Sequence, residues 1–287
     1  MHTPVLRAPA LDFLAIRPDG IYVDATFGAG GHARGILERL GSGRLVAIDI
    51  DPAARQQLPL HPALRFVHDN FRNLDHVLDA LGIGEIDGAL FDLGVSSMQF
   101  DQAQRGFSFR DSGPLDMRMS PDAPKSAYDI LTTASEAELA DIFFRYGQER
   151  ASRRIARAIV LRRAAGTLPT TTTEFGALVS GVLHRPGTRE RIHPATRVFQ
   201  ALRIAVNDEL DALREGLHAA VDRLRATGRV VVVSFHSLED RIVKNAFRDD
   251  RRLNVLTRKP VLPTQEEIAE NSRARSAKLR AAERKAG

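Results

Sequence analysis

The sequence predicts an α/β fold: a mostly parallel, Rossmann-like sheet with helices on both faces, interrupted by an inserted all-α segment. Three observations predict it. Short apolar, strand-like runs alternate with helical stretches through the first third of the chain, the pattern of repeated βαβ units. The periodicity then turns helical from about 135 to 184, within a mostly helical segment of roughly 101–194. Finally Arg229-Val230-Val231-Val232-Val233-Ser234-Phe235, rich in β-branched residues, restores a buried strand.

Taken in order, 21–25 reads as the first strand and 31–40 as a helix that Gly41 ends. Strand 45–48 follows, and Pro52 suits the first turn of the next helix. Strand 64–67, helix 71–81 stopped by Gly82, and strand 86–91 complete the alternation. Residues 96–124 are loop-rich. Ser135 and Glu138 then form a capping box before an apolar helix. An arginine-laden helix runs through Ile155, Ile159 and Val160, and a third covers 173–183. A long helix is expected over 196–226, with Phe199, Leu202, Val206, Leu210 and Leu213 on one face. These elements divide the chain into a discontinuous sheet domain, 1–100 with 195–287, and a helical insert, 101–194. The tail from about 264 is polar and basic, which fits a surface helix or a disordered segment.

Composition bounds the function. The 287 residues are 43% hydrophobic, enough for a real core, yet no apolar run approaches the ~20 residues of a membrane span. With no signal-peptide pattern and no cysteine, the expectation is a cytoplasmic protein without disulfides, thiolate nucleophiles or cysteine–zinc sites. Net charge is +5. Residues 241–287 carry 13 Lys+Arg against 6 Asp+Glu, and 134–200 carry 11 against 6. A polyanionic partner and an ordinary solvated surface both account for that excess. The nine histidines show no metal-ligand spacing, so no metal is expected.

Gly28-Ala29-Gly30-Gly31-His32-Ala33 follows the first strand and fits the G-x-G-x-x-[GA] fingerprint. Alone it is compatible with a nucleotide cradle or a purely structural turn. Asp49, ending the second strand, suits the two ribose hydroxyls of an adenosine. Asp51 competes, but Asp51-Pro52 already reads as a helix cap. Phe71, after the third strand, fits either the face of an adenine or the core. Asp24 and Asp92 favour S-adenosylmethionine over a nicotinamide dinucleotide. A carboxylate before the turn suits the amino-acid end of that ligand and would repel a pyrophosphate. Asp92 opens toward the crevice where such sheets place their chemistry, and no second dinucleotide-binding half is evident.

Asp92-Leu93-Gly94-Val95-Ser96-Ser97 occupies the position of the reaction loop of amino-group methyltransferases. An exocyclic base amine is a poor nucleophile because its lone pair is delocalised into the ring. An acceptor for its N–H helps free that pair and orients the nitrogen. Asp92 fits this role, and equally a cofactor contact without chemistry. His236, in Ser234-Phe235-His236-Ser237-Leu238-Glu239-Asp240, suits a proton acceptor; equally, Ser237 suits the cap of the helix that carries Glu239, Asp240 and Arg241.

Several motifs share an origin. Met1-His2-Thr3-Pro4-Val5-Leu6, Asp24-Ala25-Thr26-Phe27-Gly28-Ala29-Gly30-Gly31-His32 and Asp92 to Ser97 come first. Arg105-Gly106-Phe107-Ser108-Phe109, Gly113-Pro114-Leu115-Asp116-Met117-Arg118-Met119 and Tyr146-Gly147-Gln148-Glu149-Arg150 follow. His193-Pro194-Ala195-Thr196-Arg197, Ser234 to Arg241 and Arg273-Ala274-Arg275-Ser276-Ala277-Lys278-Leu279-Arg280 complete the set. With these, the chain resembles the bacterial ribosomal RNA small-subunit methyltransferase H family, also called MraW. The resemblance spans nearly the whole chain. It implies a class I methyltransferase domain with an inserted helical substrate-recognition domain. It also implies N4-methylation of a decoding-centre cytidine in 16S rRNA of the small ribosomal subunit, with S-adenosylmethionine as donor. By motif, the family's cofactor contacts fall on Gly30, Gly31, His32, Asp49, Phe71, Asp92 and Gln99. The Asp-Pro-Pro-aromatic loop of other amino-methyltransferases is absent, with Leu93-Gly94 in its place. An RNA substrate would set Arg150, Arg153, Arg154, Arg157, Arg162 and Arg163 against phosphates, and would let Phe107 and Phe109 stack on a base. Monomer and homodimer both remain open.

Overall fold

The computed structural model describes residues 4–184 and 193–286. Met1, His2 and Thr3 of the first motif lie outside the described residues, as do 185–192 and the side chain of Ser97. In chain order the first half comprises α1 (Arg7–Leu14), β1 (Ile21–Asp24), α2 (Gly31–Leu37), β2 (Arg44–Asp49), β3 (Leu64–His68), α3 (Leu74–Ala80), β4 (Ile86–Asp92), α4 (Ser97–Asp101), α5 (Ala127–Thr133) and α6 (Glu136–Arg145). The second comprises α7 (Ser152–Ala164), α8 (Thr172–Leu183), α9 (Ala195–Asn207), α10 (Glu209–Arg223), β5 (Leu224–Ser234), α11 (Ser237–Asp249), β6 (Leu253–Val255), α12 (Gln265–Glu270) and β7 (Lys278–Arg284).

Two compact units result, Met1–Gly94 with Leu210–Gly287, and Val95–Glu209. The first holds a seven-stranded sheet in the order β3-β2-β1-β4-β5-β7-β6. Strands β1 to β5 pair in parallel, and β7 runs antiparallel to both neighbours. Both sheet faces are buried, as a parallel sheet requires. Alternation along each strand divides the core. Ala89, Phe91, Val230 and Val232 join one cluster with Leu74, Leu78, Leu213 and Phe247. Leu90, Val231 and Val233 join the other with Leu11, Leu14 and Ile36.

The second unit is helical. Leu139 and Phe143 of α6, Ile155 and Ile159 of α7, Phe175 and Val179 of α8, and Val198 and Leu202 of α9 share its core. The Ser135–Glu138 capping box forms as the sequence indicates. The unit's edges fall at 94/95 and 209/210, wider than the 101–194 read from the sequence. At the C-terminal edge the reason is α9, whose apolar face packs into this core; at the N-terminal edge Val95 and Phe100 pack against the same core. Two further differences concern regular structure. The long helix expected over 196–226 is broken at Asp208, which adopts a left-handed φ of 49°. There Asn207 Nδ2 donates to the carbonyls of Met117 and Arg203, and its Oδ1 accepts the Met119 N–H. The tail begins with the short surface helix α12, which buries no residue, but it does not stay on the surface: β7 lies inside the sheet. Its residues Leu279, Ala281 and Ala282 are buried, and the charge of Arg280, 7% exposed, is met by Asp240 at 2.6 Å. Among the described residues no helix is long and apolar enough to cross a membrane.

Candidate functional site

The strand order reverses direction between β1 and β4, the switch point at which open α/β sheets leave a crevice beyond their carboxyl ends. Asp24, Asp49 and Asp92 are the last residues of β1, β2 and β4, so parallel pairing brings three carboxylates to this one edge. Thr26 ties two of them together. Its N–H donates to Asp24 Oδ1 at 3.3 Å, and its Oγ1 accepts the Asp92 N–H at 2.6 Å.

The glycine turn lies between β1 and α2. Gly30 caps α2 with φ 74°, and a Cβ there would stand 2.7 Å from the Phe27 ring. Gly31 has a different requirement: a Cβ would meet Pro4 Cγ at 2.6 Å. The segment before α1 therefore packs directly on the turn. It is held from the other side by Glu267, whose Oε1 accepts the Leu6 N–H at 2.6 Å. The sequence reading missed Pro4 and Glu267 as neighbours of the turn. The only hint was Pro4-Val5-Leu6 within a motif.

Asp49 braces the turn. Its Oδ2 accepts the Gly28 N–H at 2.6 Å and its Oδ1 the Asp51 N–H at 2.8 Å. Each oxygen retains a lone pair for a further donor. Burial pushes its carboxyl up to about 6, against the pull of these two N–H groups. Asp51 instead caps the following turn through the Ala53 N–H at 3.0 Å, the role its pairing with Pro52 suggests. Phe71 is half-buried. Its ring meets Phe91 edge-to-face at 5.6 Å, and Gly216 of α10 makes room for it. One side of the residue is thus core, and the remainder lies at the edge beyond β3.

His32, 4% exposed, is a buried histidine beside two carboxylates. Its Nδ1 lies 3.4 Å from Asp92 Oδ2. Burial alone would lower its pKa; the hydrogen bond and charge of Asp92, with the charge of Asp24, outweigh that and raise it. Asp24, 1% exposed, is pushed up to about 7 by burial, with His32 opposing. Asp24 Oδ2 and Asp92 Oδ1 are buried and lack a hydrogen-bond partner among the described residues, whereas the His32 ring is also drawn to the Val5 backbone. Orphaned buried polar atoms are costly, and a cluster of them marks a site built for a polar ligand. This donor and acceptor set fits an adenosine carrying a charged amino-acid arm.

Gln99 belongs to the helical unit. It is 5% exposed at the third position of α4, where its Oε1 accepts the Ser96 N–H in a capping box. His236 does not offer the free base its position suggested. It caps α11, its Nδ1 accepting the Glu239 N–H at 3.3 Å, which puts the proton on Nε2. That nitrogen lies 3.2 Å from Glu239 Oε1, while Glu239 Oε2 accepts the backbone N–H groups of Phe235 and His236. The whole motif is a helix start. In the helical unit Phe107 is core, and Phe109 stacks on His193 at 4.6 Å and packs on Phe199. Arg163 donates to the carbonyls of Leu131, Thr132 and Ala134, closing the end of α5, and Arg154 donates to Val182 O. Arg150, Arg153, Arg157 and Arg162 are exposed and without partners among the described residues.

The sheet order, the glycine turn and the adjoining carboxylates define a class I S-adenosylmethionine-dependent methyltransferase fold. The family follows from the whole sequence. The sequence profile of the MraW methylase family matches residues 1–285, and the chain belongs to that family. It is similar to proteins called ribosomal RNA small subunit methyltransferase H. That of Thermomicrobium roseum is 50% identical, over 99% of this chain and 93% of the relative. That of Geobacter sulfurreducens is 48% identical over 99% and 98%, and that of Caldicellulosiruptor bescii 44% identical over 99% of each.

Proposed function

We propose that this chain transfers a methyl group from S-adenosylmethionine to the exocyclic N4 of a decoding-centre cytidine in 16S rRNA of the small ribosomal subunit. The observation that carries this reading is the row of three strand-end carboxylates beside the glycine turn, two of them with an unpartnered oxygen, in a chain of the MraW family. The names of its relatives supply the RNA, and the exposed arginines of α7 agree with it.

The donor supplies an electrophilic methyl on a sulfonium. Gly30, Gly31 and His32 hold it at the start of α2, where free N–H groups face the ligand. Asp49 accepts the ribose hydroxyls with the lone pairs its backbone bonds leave over. Phe71 packs on the adenine, and Asp24 faces the amino-acid arm. Gln99 is a further cofactor contact on the strength of the family motif. Asp92 accepts an N–H of the cytosine amine through Oδ1. That contact returns lone-pair density to the nitrogen and aligns it for in-line attack. The amine proton then leaves to solvent, since His236 is committed to its cap. The helical unit recognises the RNA, with Arg150, Arg153, Arg157 and Arg162 on phosphates. Such a substrate places the enzyme in the cytoplasm.

The test is incubation of the purified chain with labelled S-adenosylmethionine and small subunits lacking the mark, followed by nucleoside mass spectrometry. Label in N4-methylcytidine of 16S rRNA is expected. No transfer to subunits, assembly intermediates or naked rRNA overturns the reading, and an RNase-insensitive labelled product favours a small-molecule acceptor instead.

A further inference from the structure

We propose that Asp24, His32 and Asp92 act as one charge-sharing trio that distinguishes the cationic methyl donor from its neutral product, with Asp24 the member that exchanges a proton. This rests on the donor site proposed above.

The geometry makes the three side chains a unit. They meet where β1 and β4 end and α2 begins. His32 lies 3.4 Å from Asp92, and Thr26 bonds both to the Asp24 carboxylate and to the Asp92 backbone. Asp24 and His32 are almost wholly excluded from water. Asp24 and Asp92 each retain one buried oxygen with no partner among the described residues. Asp24 makes no ion pair with an arginine or lysine among the described residues, and its one bond is to a backbone N–H. By contrast Asp49, which braces the turn, has both oxygens engaged by backbone N–H groups.

The charge count gives the consequence. With both carboxylates ionised and His32 protonated, the trio carries a net −1. With a proton on Asp24, it is neutral. The charged groups acting on Asp24 are His32 from α2, Asp92 from β4 and Asp49 from β2; only His32 favours ionisation. Burial sets Asp24 near neutrality, at about 7. A cation in the crevice stabilises the ionised trio and expels the proton. After methyl transfer the sulfur is a neutral thioether, so the sulfonium's share of that stabilisation is lost and the proton affinity of Asp24 rises again. The amino-acid arm is common to donor and product, and its charges cancel in the comparison. The trio thus favours loading of the donor and release of the product, increasingly so as Asp24 deprotonates.

The test is isothermal titration calorimetry of S-adenosylmethionine and S-adenosylhomocysteine from pH 6 to 9, in buffers of differing ionisation enthalpy. Wild type should release a proton near pH 7 on binding the donor, and less on binding the product. The donor-to-product affinity ratio should rise with pH, by at most about tenfold per unit for one linked proton. Asp24→Asn should flatten the ratio. His32→Gln, which removes the only favourable charge, should move the rise to higher pH. Two ligands that bind wild type with a pH-independent ratio and equal proton release overturn the trio and leave the donor site standing. Failure of both ligands to bind at any pH overturns the site as well. The wild-type measurement decides the matter even where a variant does not fold.

Discussion

Replacing Asp49 by Asn keeps the shape of the side chain and changes its chemistry. Both carboxylate oxygens accept backbone N–H groups, from Gly28 at 2.6 Å and from Asp51 at 2.8 Å. An amide can offer only one oxygen, so its NH2 must confront one of these buried donors. An unsatisfied buried N–H costs about 1–3 kcal/mol, and a hydrogen bond to a charged acceptor contributes about 1.5–3 kcal/mol. If the ribose hydroxyls lose that charged acceptor, donor affinity falls by about 1.5–3 kcal/mol, or roughly 10- to 150-fold in Kd. Asp51→Asn is the control. Asp51 caps a turn through the Ala53 N–H, and Asn caps as well as Asp. Its Kd should stay within about threefold of wild type, a difference of about 0.6 kcal/mol. Calorimetric titration of both variants with S-adenosylmethionine reads the contrast. An Asp49→Asn protein that binds with wild-type affinity, or an Asp51→Asn protein that loses it, refutes the assignment of the ribose to Asp49.

Gly31→Ala drives a methyl into Pro4; overpacking of this kind costs about 1–3 kcal/mol, measurable by denaturation, and Pro4→Ala in the same chain should recover part of it. Asp240→Ala strips the partner from the buried Arg280. A loss of about 3–5 kcal/mol is expected, and adding Arg280→Met should restore much of it; unchanged urea midpoints would mean that β7 is not in the sheet. Arg153→Ala with Arg157→Ala should lower the salt slope of RNA binding by about 0.7–0.9 per lost phosphate contact. Arg163→Ala should instead destabilise the helical unit, because that guanidinium holds three carbonyls at the end of α5. Asp24 and Asp49 have folded pKa values raised to about 7 and about 6. The folded state therefore binds more protons than the unfolded one between about pH 4 and 7, and these two groups cost stability as pH rises through that window. The thermal midpoint of the ligand-free Asp24→Asn protein should fall less between pH 5 and 8 than that of wild type; an identical fall in both would rule this out.

The sheet was legible because its strands obey local rules. β-branched runs such as Val230 to Val233, and glycines at helix ends, mark their elements without help from tertiary contacts. Asp49 and Asp51 could also be told apart, since Asp51 precedes a proline and caps. What the sequence concealed depends on pairing across long separations. β7 reads as a basic tail because Arg280 and Lys278 look solvated, whereas Asp240, some forty residues earlier, pairs with both. The break at Asp208 was equally hidden, since it depends on Asn207 bonding to the backbone of Met117 and Met119. The motif around His236 was half legible: a helix cap was expected there at Ser237, and His236 supplies it instead. A histidine after a buried strand suggests chemistry, yet here its ring nitrogen substitutes for the serine or aspartate oxygen of an ordinary cap. The polar trio was only half visible: Asp24 and Asp92 stood out, whereas His32 entered as a member of the glycine motif.

The place of β7 has a consequence for how the molecule is made. It sits between β5 and β6, both synthesised before it. Until it emerges from the ribosome, β5 presents an open row of amide and carbonyl groups to any passing strand. The helical unit, by contrast, is complete by Glu209 and has its own core. A nascent chain can therefore hold a finished helical unit while its sheet still has a gap. Stop codons just upstream of Lys278 should yield aggregation rather than a slightly shortened enzyme.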